Sequence, residues 1–275
     1  MRVAAVIALA GCACSSWSEE RLADAPALAI EYPPPERPVG WSGDYFSGLP
    51  GDAMDLVAAP GDWRTAEWSG VGLLVGTVAA AYLADNGVRA WAQAHRTREG
   101  DDVARVVKPF GREVVVIGLA GFAVVSPFVD DRRVVRTALL GSESLLVAGA
   151  GYAGLQLATR RPRPNSGEDH DFFGGGSGQA FPSGHTTAAF AFAGVLAHEW
   201  GDVPGVAPAA YGIAGLVGLS RINDDAHWAS DVVAGAIIGW ASATAVEGLY
   251  PRRAIIQARP FLERRTGGIA IDWRF

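Results

Sequence analysis

The sequence predicts an all-α fold, a six-helix bundle followed by a short C-terminal β-hairpin. Three observations lead there. The composition is that of one well-packed domain with flanking segments: 275 residues, 49% apolar and 19% charged, with 35 glycines and 16 prolines scattered without a three-residue period. Six apolar stretches, rich in Ala and Gly, recur along the middle of the chain. The last 25 residues change character, because Ile-rich segments there flank Arg264-Arg265-Thr266-Gly267-Gly268. A disordered tail and a collagen-like rod are both excluded.

Taken in order, the chain begins with Arg2, an apolar run over 3–10, and Gly11-Cys12. This is the arrangement of a signal peptide, too short to span a membrane. The run Leu9-Ala10-Gly11-Cys12 resembles the bacterial lipoprotein signal, which implies lipidation of Cys12 and a place in the cell envelope, on the periplasmic side. An ordinary signal cleaved after Ala10 is the alternative, and either way the chain leaves the cytoplasm. Both cysteines, Cys12 and Cys14, fall in this leader, so the body can hold no disulfide framework or cysteine metal site.

Residues 15–66 are polar and broken by Pro33-Pro34-Pro35 and Arg37-Pro38, and read as an extended tether. The helical core is expected over 67–250. Its helices are centred on 68–84, 114–129, 144–159, 186–197, 203–220 and 232–246, with an additional amphipathic helix over 101–109 in which Val103, Val106 and Val107 form one face. Residues 251–275 form the hairpin tail. A membrane span needs about 20 apolar residues, and four of the six stretches fall at or below 16. The sequence therefore favours a compact bundle held at the membrane by its N-terminal lipid over a multi-spanning protein.

With 23 basic and 29 acidic residues the net charge is -6, which excludes a broad cationic surface for nucleic acid. Any anion must be met by a local cluster. Every basic residue except Lys108 is Arg, whose planar fork suits phosphate. One glycine pattern misleads: Gly149, Gly151 and Gly154, with Asp171 downstream, imitate a dinucleotide site. Pro162 and Pro164 would interrupt the helix that should follow, and no βαβ partner strand is visible, so the glycines are better read as points of close helix approach.

Three other segments carry the chemistry. Arg160-Arg161-Pro162-Arg163-Pro164 ends an apolar helix, where guanidiniums either complement the helix dipole or meet an anion. Seventeen residues later Pro182-Ser183-Gly184-His185 opens another helix, with Ser183 as N-cap and free N–H groups at an anion-sized site. Ser220-Arg221 follows after 34 residues, then His227 and, four further on, Asp231. Both would lie on one helical face, with the carboxylate orienting the ring.

This order resembles the type 2 phosphatidic acid phosphatase and vanadium-dependent haloperoxidase superfamily, whose three motifs would span Gln156 to Asp231. The resemblance implies a metal-independent phosphomonoesterase with no cofactor. His227 would be the nucleophile, Asp231 would fix its tautomer, and His185 would be the general acid and later the base. Arg163, Arg221, Ser183 and the Gly184 N–H would hold the phosphoryl oxygens. The family places a Lys seven residues before Arg163, where this chain has Gln156; its charge would be missing unless Arg160 or Arg161 swings in. His95 and His198 read as solvated or packed, and Asp224 and Asp225 as exposed acids. His170, among Glu168, Asp169 and Asp171, is a weak metal candidate. The expected partners are a membrane and a phosphorylated lipid or, alternatively, a small soluble phosphate. Vanadium haloperoxidase and a non-enzymatic phospholipid binder are competing functions.

Overall fold

The computed structural model describes the backbone of residues 3–9, 28–31, 39–168, 171, 178–250, 255–263 and 266–274, with side chains over 39–168, 171 and 178–250. Cys12, His170 and most of the 15–38 segment lie outside the described residues. The chain divides into two units. In one, β3 (Ile255–Glu263) and β4 (Thr266–Arg274) pair antiparallel, from Glu263 opposite Thr266 to Ile255 opposite Arg274. Strand β1 (Val3–Leu9) lies along β4, and β2 (Leu28–Glu31) along β3, in the order β1-β4-β3-β2.

The second unit, Val39–Leu249, is helical and contains eight α-helices rather than six among the described residues. Each of the six apolar stretches matches its own helix, with 114–129 overrunning the end of one and 203–220 beginning before another: α2 (Thr65–Ala94), α4 (Glu113–Val125), α5 (Arg132–Thr159), α6 (Gly184–Trp200), α7 (Val206–Asn223) and α8 (Ala229–Leu249). The amphipathic segment is α3 (Arg98–Val107), capped by the Thr97 side chain and carrying Glu99 and Asp101 in its first turn.

The eighth helix corrects the sequence reading. Residues 43–58, taken as part of an extended tether, form α1 (Gly43–Ala58). The prolines that suggested a tether, Pro33-Pro34-Pro35 and Pro38, all precede it, Pro50 lies inside it, and tertiary anchors stabilise it. Tyr45 is buried and donates its hydroxyl to Glu143 at 2.9 Å, while the Trp41 indole donates to Ser126 at 2.7 Å.

Two helices are also much longer than their apolar runs, because charged residues inside them are paired. Helix α5 has 28 residues and includes Arg136, which contacts Glu199 at 2.7 Å and Glu247 at 3.1 Å. Helix α2 has 30 residues and runs through Asp85 and Arg89. Short runs were the reason to favour a tethered bundle, and that reason is removed. Three segments, Thr65–Ala94, Arg132–Ser166 and Ala229–Leu249, are long and apolar enough to cross a membrane, or four if the pair Arg98–Gly111 and Glu113–Phe128, bent by 40°, counts as one. Leu73, Leu83, Phe128, Leu146 and Leu157 face outward. Water would oppose such a surface and lipid would not, so the protein is membrane-associated.

Helix α6 is the centre of this unit, packed against α5, α7 and α8. Small residues let α8 come close to it. A Cβ on Gly235 would lie 2.7 Å from the Ser183 carbonyl, and one on Gly239 would lie 2.7 Å from the Ala191 nitrogen. This approach brings the start of α6 against the start of α8, the two places where the candidate histidines sit. The glycines of the dinucleotide-like pattern lie inside α5, as close-approach points would.

Candidate active site

His185 is the second residue of α6 and is partly buried. The turn 108–111 presses on it: a Cβ on Gly111 would lie 2.8 Å from His185 Cβ, so only glycine fits there. Burial, then the positive charge of Arg221 and the neighbouring His227 imidazole, push the His185 pKa down to about 4 against the partial opposition of Glu113, with Lys108 adding to the depression. The unliganded ring is neutral at pH 7.

His227 lies in the bend between α7 and α8, just after Asp225, whose backbone is left-handed at φ 54°. That conformation is costly for a residue with a side chain. Arg89 offsets the cost by gripping both Asp225 carboxylate oxygens at 2.8 Å, with its guanidinium over the Trp228 ring. The bend is thus fixed from α2.

The orientation of the His227 ring differs from the expectation. Its Nδ1 lies 2.8 Å from the Ala180 carbonyl, an acceptor only, so Nδ1 carries the proton and Nε2 is left with its lone pair. Asp231 stands 3.6 Å from Nδ1, too far for a hydrogen bond. Its oxygens instead accept from Arg161 at 2.6 Å and from the Trp228 N–H at 2.8 Å. The i,i+4 spacing does place both residues together, but the nearer acceptor is a backbone oxygen.

Behind His227 lies a buried network. Arg161, fully enclosed, donates to Asp231, to Ser230 at 2.7 Å and to Asp85 at 2.6 Å. Asp85 also accepts from the Ser230 N–H and hydroxyl. Arg161 therefore cannot swing toward a phosphate. It ties the first motif to the third, and its carbonyl accepts from the Ala180 N–H, which sets the peptide that aims His227.

In front of the histidines is a cavity of about 500 Å³, lined by His185, His227, Gly184, Arg163, Gln179 and Arg112 together with the apolar Val115, Val116, Leu145 and Ala148. Four of the expected contact residues meet there: His185, His227, Gly184 and Arg163. The others do not line it. Ser183 is wholly buried, its hydroxyl accepting from Thr186 at 2.9 Å rather than capping the helix. Arg221 is paired with Asp224, which is therefore not a free surface acid. Burial foremost, and the charge of Arg163 last, hold the Arg221 pKa below its usual range, with Asp224 opposing them. Gln156 spends its amide on the Tyr152 hydroxyl at 2.6 Å and the Gln179 carbonyl at 3.3 Å.

Among the described residues no group of three metal-ligating side chains occurs. Sequence reasoning missed Asp85, Arg89 and Arg112. A lone Asp inside a long apolar helix was the available signal for the first.

The PAP2 superfamily description matches residues 138–254. This segment, less than half of the chain, is similar to the PAP2 superfamily. A curated relative, the lipid A 1-phosphatase of Porphyromonas gingivalis, is 44% identical over 66 residues, which are 24% of this chain and 15% of that protein's length. Two solved structures are similar: Aquifex aeolicus LpxE (22% identity, TM-score 0.45, 60% of this chain and 94% of that one) and a transmembrane PAP2 type phosphatidylglycerolphosphate phosphatase from Bacillus subtilis (21% identity, TM-score 0.43, 74% and 94%). The PAP2 segment contains Arg163, His185, His227 and Asp231. Asp85, Arg89 and Arg112 lie outside it.

Proposed function

We propose that the protein is a metal-independent phosphatase that removes a phosphomonoester from a membrane lipid through a phosphohistidine on His227. The supporting observation is the cavity itself, whose lining combines two histidines and Arg163 with apolar side chains. His227 Nε2, freed by the Nδ1–Ala180 bond, attacks phosphorus as the ester P–O bond breaks, and His185 gives its proton to the departing alkoxide. His185, now neutral, takes a proton from water. The resulting hydroxide displaces His227 and releases inorganic phosphate. Arg163 and the Gly184 N–H offset charge on the nonbridging oxygens, with Arg221, paired with Asp224, and Ser183 behind them, and Gln156 in the place of a cation.

A neutral His185 fits this sequence, because an arriving phosphate dianion favours its protonated form and supplies the acid when substrate is present. The name of the 44% identical relative favours a lipid A-type sugar phosphate as substrate. Residues 1–14 would export the chain and Cys12 would carry a lipid, followed by a linker, the 67–250 core and the 251–275 tail.

Phosphate release from a lipid phosphate and from a small aryl phosphate, with chelator present, tests the reading. Lipid hydrolysis resistant to chelator and lost by at least about 10³-fold in His227→Ala is expected. Loss on chelation would overturn the mechanism, a strong preference for the aryl phosphate would overturn the lipid substrate, and vanadate-dependent halogenation would point to a peroxidase. Solubility of a Cys12→Ala variant would overturn the helices as the membrane attachment.

A further inference from the structure

Resting on the phosphatase reading of this cavity, we infer that Arg112 is a substrate-binding residue that supplies the charge absent at Gln156. Only two of the residues lining the cavity carry a permanent positive charge, Arg163 and Arg112. Other candidates are occupied or elsewhere: Arg161 is spent on Asp85 and Asp231, Arg221 is paired with Asp224, and Lys108 and Arg160 do not line the cavity. Arg112 has no hydrogen-bond or ion-pair partner for its guanidinium among the described residues, and it is exposed at the cavity mouth.

Its position is fixed by packing rather than by chance. Gly111 abuts His185, so the residue after it is held within the same small volume as the catalytic ring. Arg112 also sits at the break between Arg98–Gly111 and Glu113–Phe128, where the axis bends by 40°. Irregular backbone and an unpaired cation in an apolar segment are tolerated where they face a polar cavity, and this cavity provides one. A transferring phosphoryl group bears at least two negative charges, and a second guanidinium on the cavity lining, at the start of α4, would join Arg163 in holding it.

The full-length protein in detergent serves for the test, with p-nitrophenyl phosphate as substrate and inorganic phosphate and vanadate as probes. Arg112→Ala should lower kcat/KM by about 10- to 100-fold and weaken phosphate binding, read by calorimetry, and vanadate inhibition to a similar degree. Arg112→Lys should retain most of each. In the Arg112→Ala background, Gln156→Lys should recover a large part of the loss, since Gln156 bonds two residues of the cavity wall. Unchanged phosphate and vanadate affinity in Arg112→Ala would overturn the inference, as would an activity loss that Arg112→Lys does not restore. Phosphate binding needs no turnover, so an inactive wild-type protein would defeat the hydrolytic reading while leaving the role of Arg112 measurable.

Discussion

The two sides of His227 are built on opposite rules. Behind it, Asp85, Arg161, Ser230 and Asp231 are fully enclosed and satisfy one another at 2.6 to 2.8 Å. In front, His185, Arg163 and Arg112 line an open cavity with no side-chain partner among the described residues. Charge that is spent within the protein fixes geometry, whereas charge left unspent is available to a ligand. The same residue type serves both purposes two positions apart, at Arg161 and Arg163, and the surroundings alone decide which.

The comparison is broken most directly from behind. Arg161→Ala leaves two buried carboxylates without their cation and should destabilise the protein by about 3–5 kcal/mol, read by thermal unfolding in detergent, with hydrolysis lost as well. A variant as stable as wild type would mean that the network is dispensable. From the front, Arg163→Ala should lower kcat/KM by about 10²-fold or more while leaving the unfolding temperature unchanged. A matching loss of stability would place Arg163 with the scaffold.

The smallest effect is in pH. Because burial holds the folded His185 near 4, below its unfolded value of 6.5, the unfolded chain binds the extra proton first. The stability this contributes is complete above about 6.5 and is lost as pH falls toward 4. The proposed mechanism needs the protonated ring, so kcat/KM should rise on acidification from neutrality until unfolding intervenes, and His185→Gln should flatten that limb. A wild-type profile already flat in this window would remove His185 as the acid.

Much of the front was legible in sequence, because spacing brings Arg163, His185 and His227 onto helix ends that converge. The back was not. Asp85 reaches Ser230 across 145 positions, and nothing local distinguishes Arg161 from its neighbours Arg160 and Arg163. Helix lengths were misjudged for a related reason: Arg136 and Glu143 look like the end of an apolar run until Glu199 and Tyr45 are seen to pair with them. Arg112 was hidden because its relevance comes from the contact of Gly111 with His185, a fact of packing rather than of pattern.

The ring of His227 is aimed by the main-chain oxygen of Ala180. That atom is present whatever amino acid occupies position 180, so no exchange of side chain deletes the contact. The aim of this ring can be spoiled only by rerouting the peptide itself, which makes this feature robust to mutation and invisible to any survey of residue identity.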